Sequence, residues 1–220
     1  MDPHSLVMWI SRVRRNHFSS RLFGMKPNLI PILAGLTILF GIHGVNAASL
    51  LDNYTVVKLD YGENRVDFNN DGVPDLVVIG HRENFNAHDY DVISFYANEP
   101  KSEHRRLAIV PMFNQDKETV TLAAAGGADC RLHDFRLLRP KHGEESLLIV
   151  ADRKMSDSFF EENTVTFSYF KLERNSTGLV GRPYLYFNFA EVHEAKVKYC
   201  DVNQAFRSEL GLGDYKQRNP

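Results

Sequence analysis

Nine residues hold the densest grouping of metal-ligating oxygens in the chain: Asp67-Phe68-Asn69-Asn70-Asp71-Gly72-Val73-Pro74-Asp75. Counted from Asp67, side-chain oxygens stand at positions 1, 3, 5 and 9, and glycine stands at position 6. Alternate positions turn their oxygens inward, and the glycine lets the backbone wrap round an ion. The expected ligands are the side chains of Asp67, Asn69, Asp71 and Asp75 and the backbone carbonyl of Val73. Position 12 of an EF-hand is a bidentate Glu, and here it is Val78 in a strand-like run. The pattern is therefore the shorter Asp-rich loop that enters strands. Hard oxygen ligands favour calcium in a structural role. Sodium or magnesium are alternatives, magnesium less so because its octahedral demands are strict. A plain Asn-Asp-Gly turn without an ion is the competing reading.

A second polar stretch follows at residues 80–91. His81, Arg82, Glu83, Asn84, Asn86 and His88 form a candidate recognition loop, with Asp89 and Asp91 beside them. The same residue types could act in acid–base or metal chemistry. They could equally be a solvated hairpin end whose side chains satisfy the backbone. Spacing disfavours zinc, because no tight His pair is present. Ser168-Tyr-Phe-Lys171 matches the Ser-x-x-Lys pattern of serine β-lactamases. On a strand, however, residues three apart face opposite sides, so the match is read as chance. No catalytic residues are assigned, and the protein is expected not to be an enzyme.

Short β-type segments position these loops. Apolar or β-branched runs occur at residues 54–60, 76–79, 90–96, 107–110, 119–122, 135–138, 147–150, 165–170 and 184–189. Turn residues punctuate them at 69–72, 126–127, 140–143 and 175–178. The spacing predicts an all-β, antiparallel β-sandwich with short terminal α-helices. One helix is expected over 201–210, capped by Asp201 and ended by Gly211, and a short turn over 48–53.

The N-terminus reads as an export signal. Arg21 and Lys26 precede an apolar run at 29–42, and Val45-Asn46-Ala47 offers a cleavage site. An uncleaved anchor is the alternative, disfavoured because the run is short and contains Pro31, Gly35 and Gly41. Met25, just before Lys26, is the expected true start. Residues 1–47 are thus an extension plus cleaved signal, and 48–220 a single domain. That domain carries 21 Lys and Arg against 27 Asp and Glu, a net charge of −6. Such a balance is a poor match for nucleic acid. Cys130 and Cys200 both survive cleavage, and an oxidising compartment favours one disulfide between them over two separate buried thiols.

The run Asp67-Phe-Asn-Asn-Asp-Gly-Val-Pro-Asp-Leu-Val-Val78, followed by Arg82-Glu-Asn-Phe-Asn-Ala-His88, resembles the periplasmic carbapenem intrinsic-resistance proteins of the CarG type. The resemblance implies a β-sandwich similar to periplasmic lysozyme inhibitors, a bound cation and a homodimer. It also implies protection against a simple carbapenem alongside a companion resistance protein in the periplasm. With no hydrolytic machinery in the sequence, protection by binding or shielding the drug, a partner or a cell-wall enzyme is the expected mode. Inhibition of a lysozyme-type cell-wall hydrolase is the alternative, with Gly126-Gly127-Ala128 or the 80–91 loop as the inserting element.

Overall fold

The protein's architecture is taken from a computed structural model. It describes residues 51–86, 88–98, 106–126, 130–143, 145–155 and 160–216. The expected signal segment ending at Ala47, the start at Met25, and Gly127 and Ala128 lie outside the described residues, as do residues 48–50 of the turn expected at 48–53.

Among the described residues, twelve strands and one helix follow in order. They are β1 (Tyr54–Val56), β2 (Gly62–Val66), β3 (Asp75–Arg82), β4 (Tyr90–Asn98), β5 (Leu107–Ile109), β6 (Met112–Asn114), β7 (Lys117–Thr119), β8 (Leu122–Gly126), β9 (Arg131–Pro140), β10 (Leu147–Arg153), β11 (Val165–Arg174), β12 (Leu185–Glu194) and α1 (Val202–Leu210). The fold is all-β with a terminal helix. Hydrogen bonds run through the strands in the order β2-β3-β4-β8-β9-β10-β11-β12-β6-β7, with β1 on β9 and β5 on β4. Pairing is antiparallel except between β12 and β6, which run parallel.

Aromatic packing shows that the sheet curls back on itself. Phe95 on β4 and Phe187 on β12 are separated by four intervening strands in the sheet. At about 4.8 Å per strand those positions would lie more than ~20 Å apart in a flat sheet. Their ring centroids are 5.4 Å apart. Phe68 and Phe135 also meet Phe95 edge-on, at 6.3 Å each. This cluster sits in an inner core with Val77, Ile93, Leu137, Leu148 and Leu172.

Residues 107–114 close the remaining gap. β5 pairs with β4, and β6, two residues later, pairs with β12. At the switch, the Val110 N–H donates to the Phe95 carbonyl at 2.8 Å. The Phe187 N–H donates to the Pro111 carbonyl at 2.8 Å. Proline lacks a donor, so it is suited to the point where a strand leaves one neighbour for another. The expected sandwich is therefore bridged along one side by a strand that belongs to both halves.

A second core lies on the outer face of β9, β10 and β11. Leu138, Ile149, Ala151, Val165 and Phe167 meet Val202, Ala205, Phe206 and Leu210 of α1. β10 is therefore buried on both faces, which explains why residues 147–150 are uniformly apolar rather than alternating. The helix has the ends expected of it. Asp201 accepts from the Asn203 N–H, and Gly211 takes the left-handed conformation with φ 67°. Cys130 and Cys200 form the expected disulfide. It ties the entry of β9 to the entry of α1. In the chain-entropy view such a loop contributes about 4 kcal/mol.

Several strand assignments differ from expectation: β1 stops at Val56 within the run 54–60, and β6 (Met112–Asn114) falls in no expected run. Residues 119–122 are not one strand, since β7 ends at Thr119 and β8 begins at Leu122. Strand β2 (Gly62-Glu-Asn-Arg-Val66) was not anticipated. It is a polar edge strand, and only its pairing with β3 marks it.

Phe187→Ala should cost about 3–5 kcal/mol, because it empties the contact that joins the two halves; urea denaturation measures this. Reducing the Cys130–Cys200 disulfide should lower the melting temperature, and a Cys130→Ser/Cys200→Ser pair should melt at that lower temperature under oxidising conditions too.

Candidate functional site: an Asp-rich loop and a buttressed hairpin tip

The Asp-rich loop connects β2 to β3 and is anchored from below by Phe68, which is fully buried in the inner core. Asn70 and Gly72 take positive φ, 57° and 81°, so the chain turns tightly at both. The carboxylate of Asp67 accepts from the Asp71 N–H at 3.1 Å and the Gly72 N–H at 3.0 Å. Asn69 Oδ1 accepts from the Asp71 N–H at 2.9 Å, and Asp71 Oδ1 from the Val73 N–H at 2.8 Å. These short-range bonds shape the loop and turn several oxygens toward its backbone. Among the described residues, no group of three or more His, Cys, Asp or Glu side chains is gathered tightly enough to hold an ion as it stands.

Asp75 is the exception within the loop. It is 1% exposed at the first position of β3. Its Oδ1 accepts from Asn69 Nδ2 at 3.2 Å and the Asn98 N–H at 3.4 Å. Its Oδ2 is buried with no hydrogen-bond partner. Burial, with some repulsion from Asp71, pushes its carboxyl up to about 7. A buried carboxylate oxygen without a donor is costly. A hard cation beside it would remove that cost, so the donor set fits calcium. Asp67, Asn69, Asp71 and Asp75 would supply side-chain oxygens and Val73 its carbonyl.

The second polar stretch forms the hairpin end between β3 and β4. His81 and Arg82 lie on β3, while Glu83, Asn84, Asn86 and His88 lie in the loop. The loop is braced from within. Glu83 Oε1 accepts from the Phe85 N–H at 2.6 Å. Asn84 Nδ2 donates to the His88 carbonyl at 2.6 Å, and Asn86 Oδ1 accepts from the His88 N–H at 2.8 Å. The guanidinium of Arg82 lies 5.7 Å from the ring centre of Tyr90. The bracing leaves Phe85 95% exposed with φ 55°. The recognition residues expected in this loop are all polar and do not include Phe85. Its apolar side chain in an otherwise polar run was the available signal.

Below the tip lies a charged hub. Asp91, on β4, is 1% exposed, and four side chains converge on it. His81 Nδ1 and Tyr61 Oη meet its Oδ1 at 3.0 and 3.1 Å. Arg131 and Lys216 meet its Oδ2 at 3.0 and 2.9 Å. Burial alone would raise the Asp91 carboxyl, but these donors outweigh it and hold it down at about 2. The same hydrogen bond raises His81 above its ordinary value. Arg131 continues the network to Asp134, which lies 3.6 Å from Arg136, a guanidinium packed on the Phe206 ring at 4.3 Å. His81 thus works at the base of the hairpin rather than as a free recognition group.

Ser168 and Lys171 are not brought together. Ser168 is half-buried, in register with Val150 of the inner core, while Lys171 is exposed.

Two tests follow from these charges. Asp91→Ala should destabilise the protein by about 3 kcal/mol, because it strands three cationic partners; denaturant titration reports it. The pH response has a definite sign. Asp75 binds its proton more tightly folded than unfolded, so its contribution to stability falls as pH rises from about 4 to about 7. The contribution of His81 is complete below about pH 6.5 and is lost as pH passes its raised folded value. That of Asp91 is present above about pH 4 and disappears as pH falls through about 2. Without calcium, melting temperature should therefore decline from about pH 5 to about pH 8, and Asp75→Asn should flatten the decline.

The family described as carbapenem resistance protein CarG-like matches residues 59–208, a span that contains the Asp-rich loop, the hairpin tip and Asp91. A crystal structure of CarG shares the fold, with a TM-score of 0.60 at 23% identity, over 70% of this chain and 94% of that one. No curated protein matches the chain. With most of its length matched by that one family, the chain belongs to the CarG-like carbapenem resistance proteins.

Proposed function

We propose that this protein works in the periplasm as a non-hydrolytic carbapenem intrinsic-resistance protein. It protects the cell by binding or shielding, acts with a companion resistance protein, and works as a homodimer with calcium in its Asp-rich loop. The observation that carries this reading is the family match over residues 59–208. Three features support its finer parts. The Ser168/Lys171 pair is split between the two faces of β11, which removes the one hydrolase-like motif in the sequence. The Cys130–Cys200 disulfide suits an oxidising compartment outside the cytosol. The unpartnered Asp75 Oδ2 gives calcium a specific benefit to confer.

Susceptibility testing separates the parts. Expression in a carbapenem-sensitive host should raise tolerance, more so with the companion protein present, while the purified protein leaves the drug intact. Catalytic loss of drug in that assay would exclude the non-hydrolytic mode. Calcium should raise the melting temperature, with an increment that grows as pH rises through about 7, because the ion competes with the Asp75 proton. Asp71→Ala should lose that increment.

A second reading, inhibition of a lysozyme-type cell-wall hydrolase, draws on one observation. Phe85 is an exposed aromatic on a braced hairpin tip, the form of a wedge that enters an enzyme cleft. Stoichiometric inhibition of a lysozyme, lost in Phe85→Ala, would favour it.

A further inference from the structure

β1 and β2 lie along a groove without hydrogen-bonding to each other. β1 pairs only with β9, and β2 only with β3. The open groove between them has a volume of about 280 Å³. Val56, Val57 and Val66 contribute apolar surface to it and pack against the inner core. Three cationic side chains line it from three parts of the chain: Lys58 after β1, Arg65 on β2 and Arg139 on β9.

Charge is what sets this groove apart. The domain from residue 48 onward is acidic, with net charge −6. Within the groove the balance reverses, with three cations against one acid, Asp67. Little inside the protein neutralises them. Among the described residues Arg65 approaches only Glu63 as an ion-pair partner, at 3.8 Å, and both are largely exposed. Lys58 donates to a backbone carbonyl, that of Asp214. Arg139 has no ion-pair partner among the described residues. Guanidinium groups beside an apolar floor are suited to a ligand that is part hydrocarbon and part carboxylate, since arginine meets a carboxylate with two parallel hydrogen bonds. The volume is close to the lower end of the roughly 300–1,000 Å³ typical of drug-sized ligands, and the groove is open to solvent.

We propose that this groove binds an intact carbapenem, its carboxylate held by Arg139 and Arg65 and its bicyclic ring resting on Val56, Val57 and Val66. The inference rests on the resistance role proposed above and gives it a direct drug site. Binding is non-covalent, and the β-lactam ring stays closed.

The test is isothermal titration of the purified protein with the unsubstituted carbapenem carboxylate. Saturable binding is expected. Arg139→Gln should weaken it about tenfold, the loss of one charge-assisted contact. Thr55→Trp, which fills the groove from β1, should abolish it. Lys171→Gln, at an exposed position of β11 that does not line the groove, should leave it unchanged. Inorganic phosphate at equal concentration should not displace the drug. Absence of binding, equal displacement by phosphate, or full affinity in both groove variants would overturn the proposal. Tolerance in cells without binding in vitro overturns the groove and leaves the resistance role standing. Binding without tolerance does the reverse.

Discussion

A sheet of this many strands cannot expose both faces to water, and the contact between Phe95 and Phe187 is how this one avoids doing so. Everything else is arranged round that meeting. The sheet must curl for β4 to reach β12, and the curl creates one inner core. Residues 107–114 then run from β4 to β12, so the seam is covered by main chain as well as by side chains. The outer face of β9 to β11 remains apolar, and α1 covers it. The candidate functional loops hang from this frame. Phe68 roots the Asp-rich loop in the inner core, and Asp91 roots the hairpin tip through His81.

Much of this could be read from the sequence where local chemistry decided the outcome. Asp201 and Gly211 mark the helix because a cap needs an oxygen and an end needs a left-handed residue. Val77 and Ile79, or Ile93 and Phe95, mark strands because alternate residues share a face. Strand β2 escaped because Gly62-Glu-Asn-Arg-Val66 has no apolar stripe; its neighbour β3 makes it a strand. The bridging path of residues 107–114 escaped for a similar reason. Nothing local in Leu107-Ala-Ile-Val-Pro-Met-Phe-Asn114 says that its two halves will bond to different strands.

The candidate site divides along the same line. The Asp-rich loop was legible because its ligands are neighbours in sequence. Asp91 was visible only as one more acid in a polar run. Its importance comes from Tyr61, Arg131 and Lys216, which lie 30, 40 and 125 residues away. The groove cations Lys58, Arg65 and Arg139 show the same effect, since spacing gives no hint that they line one space.

The strap that follows α1, residues 212–216, has a consequence for the order of assembly. Tyr215 inserts between strands with its ring 4.6 Å from Phe135, its carbonyl accepts from the Leu59 N–H, and Lys216 reaches Asp91. These contacts join the two ends of the described chain. Closing so long a loop is entropically slow, and contacts of this range delay folding. On a ribosome, residues 212–216 emerge after every described strand has already appeared. Until they arrive, Phe135 lacks its cover and Asp91 lacks one of its cations. The domain is therefore completed from its tail, and a nascent chain stopped short of the strap would present an open core to whatever handles unfolded polypeptides at that point.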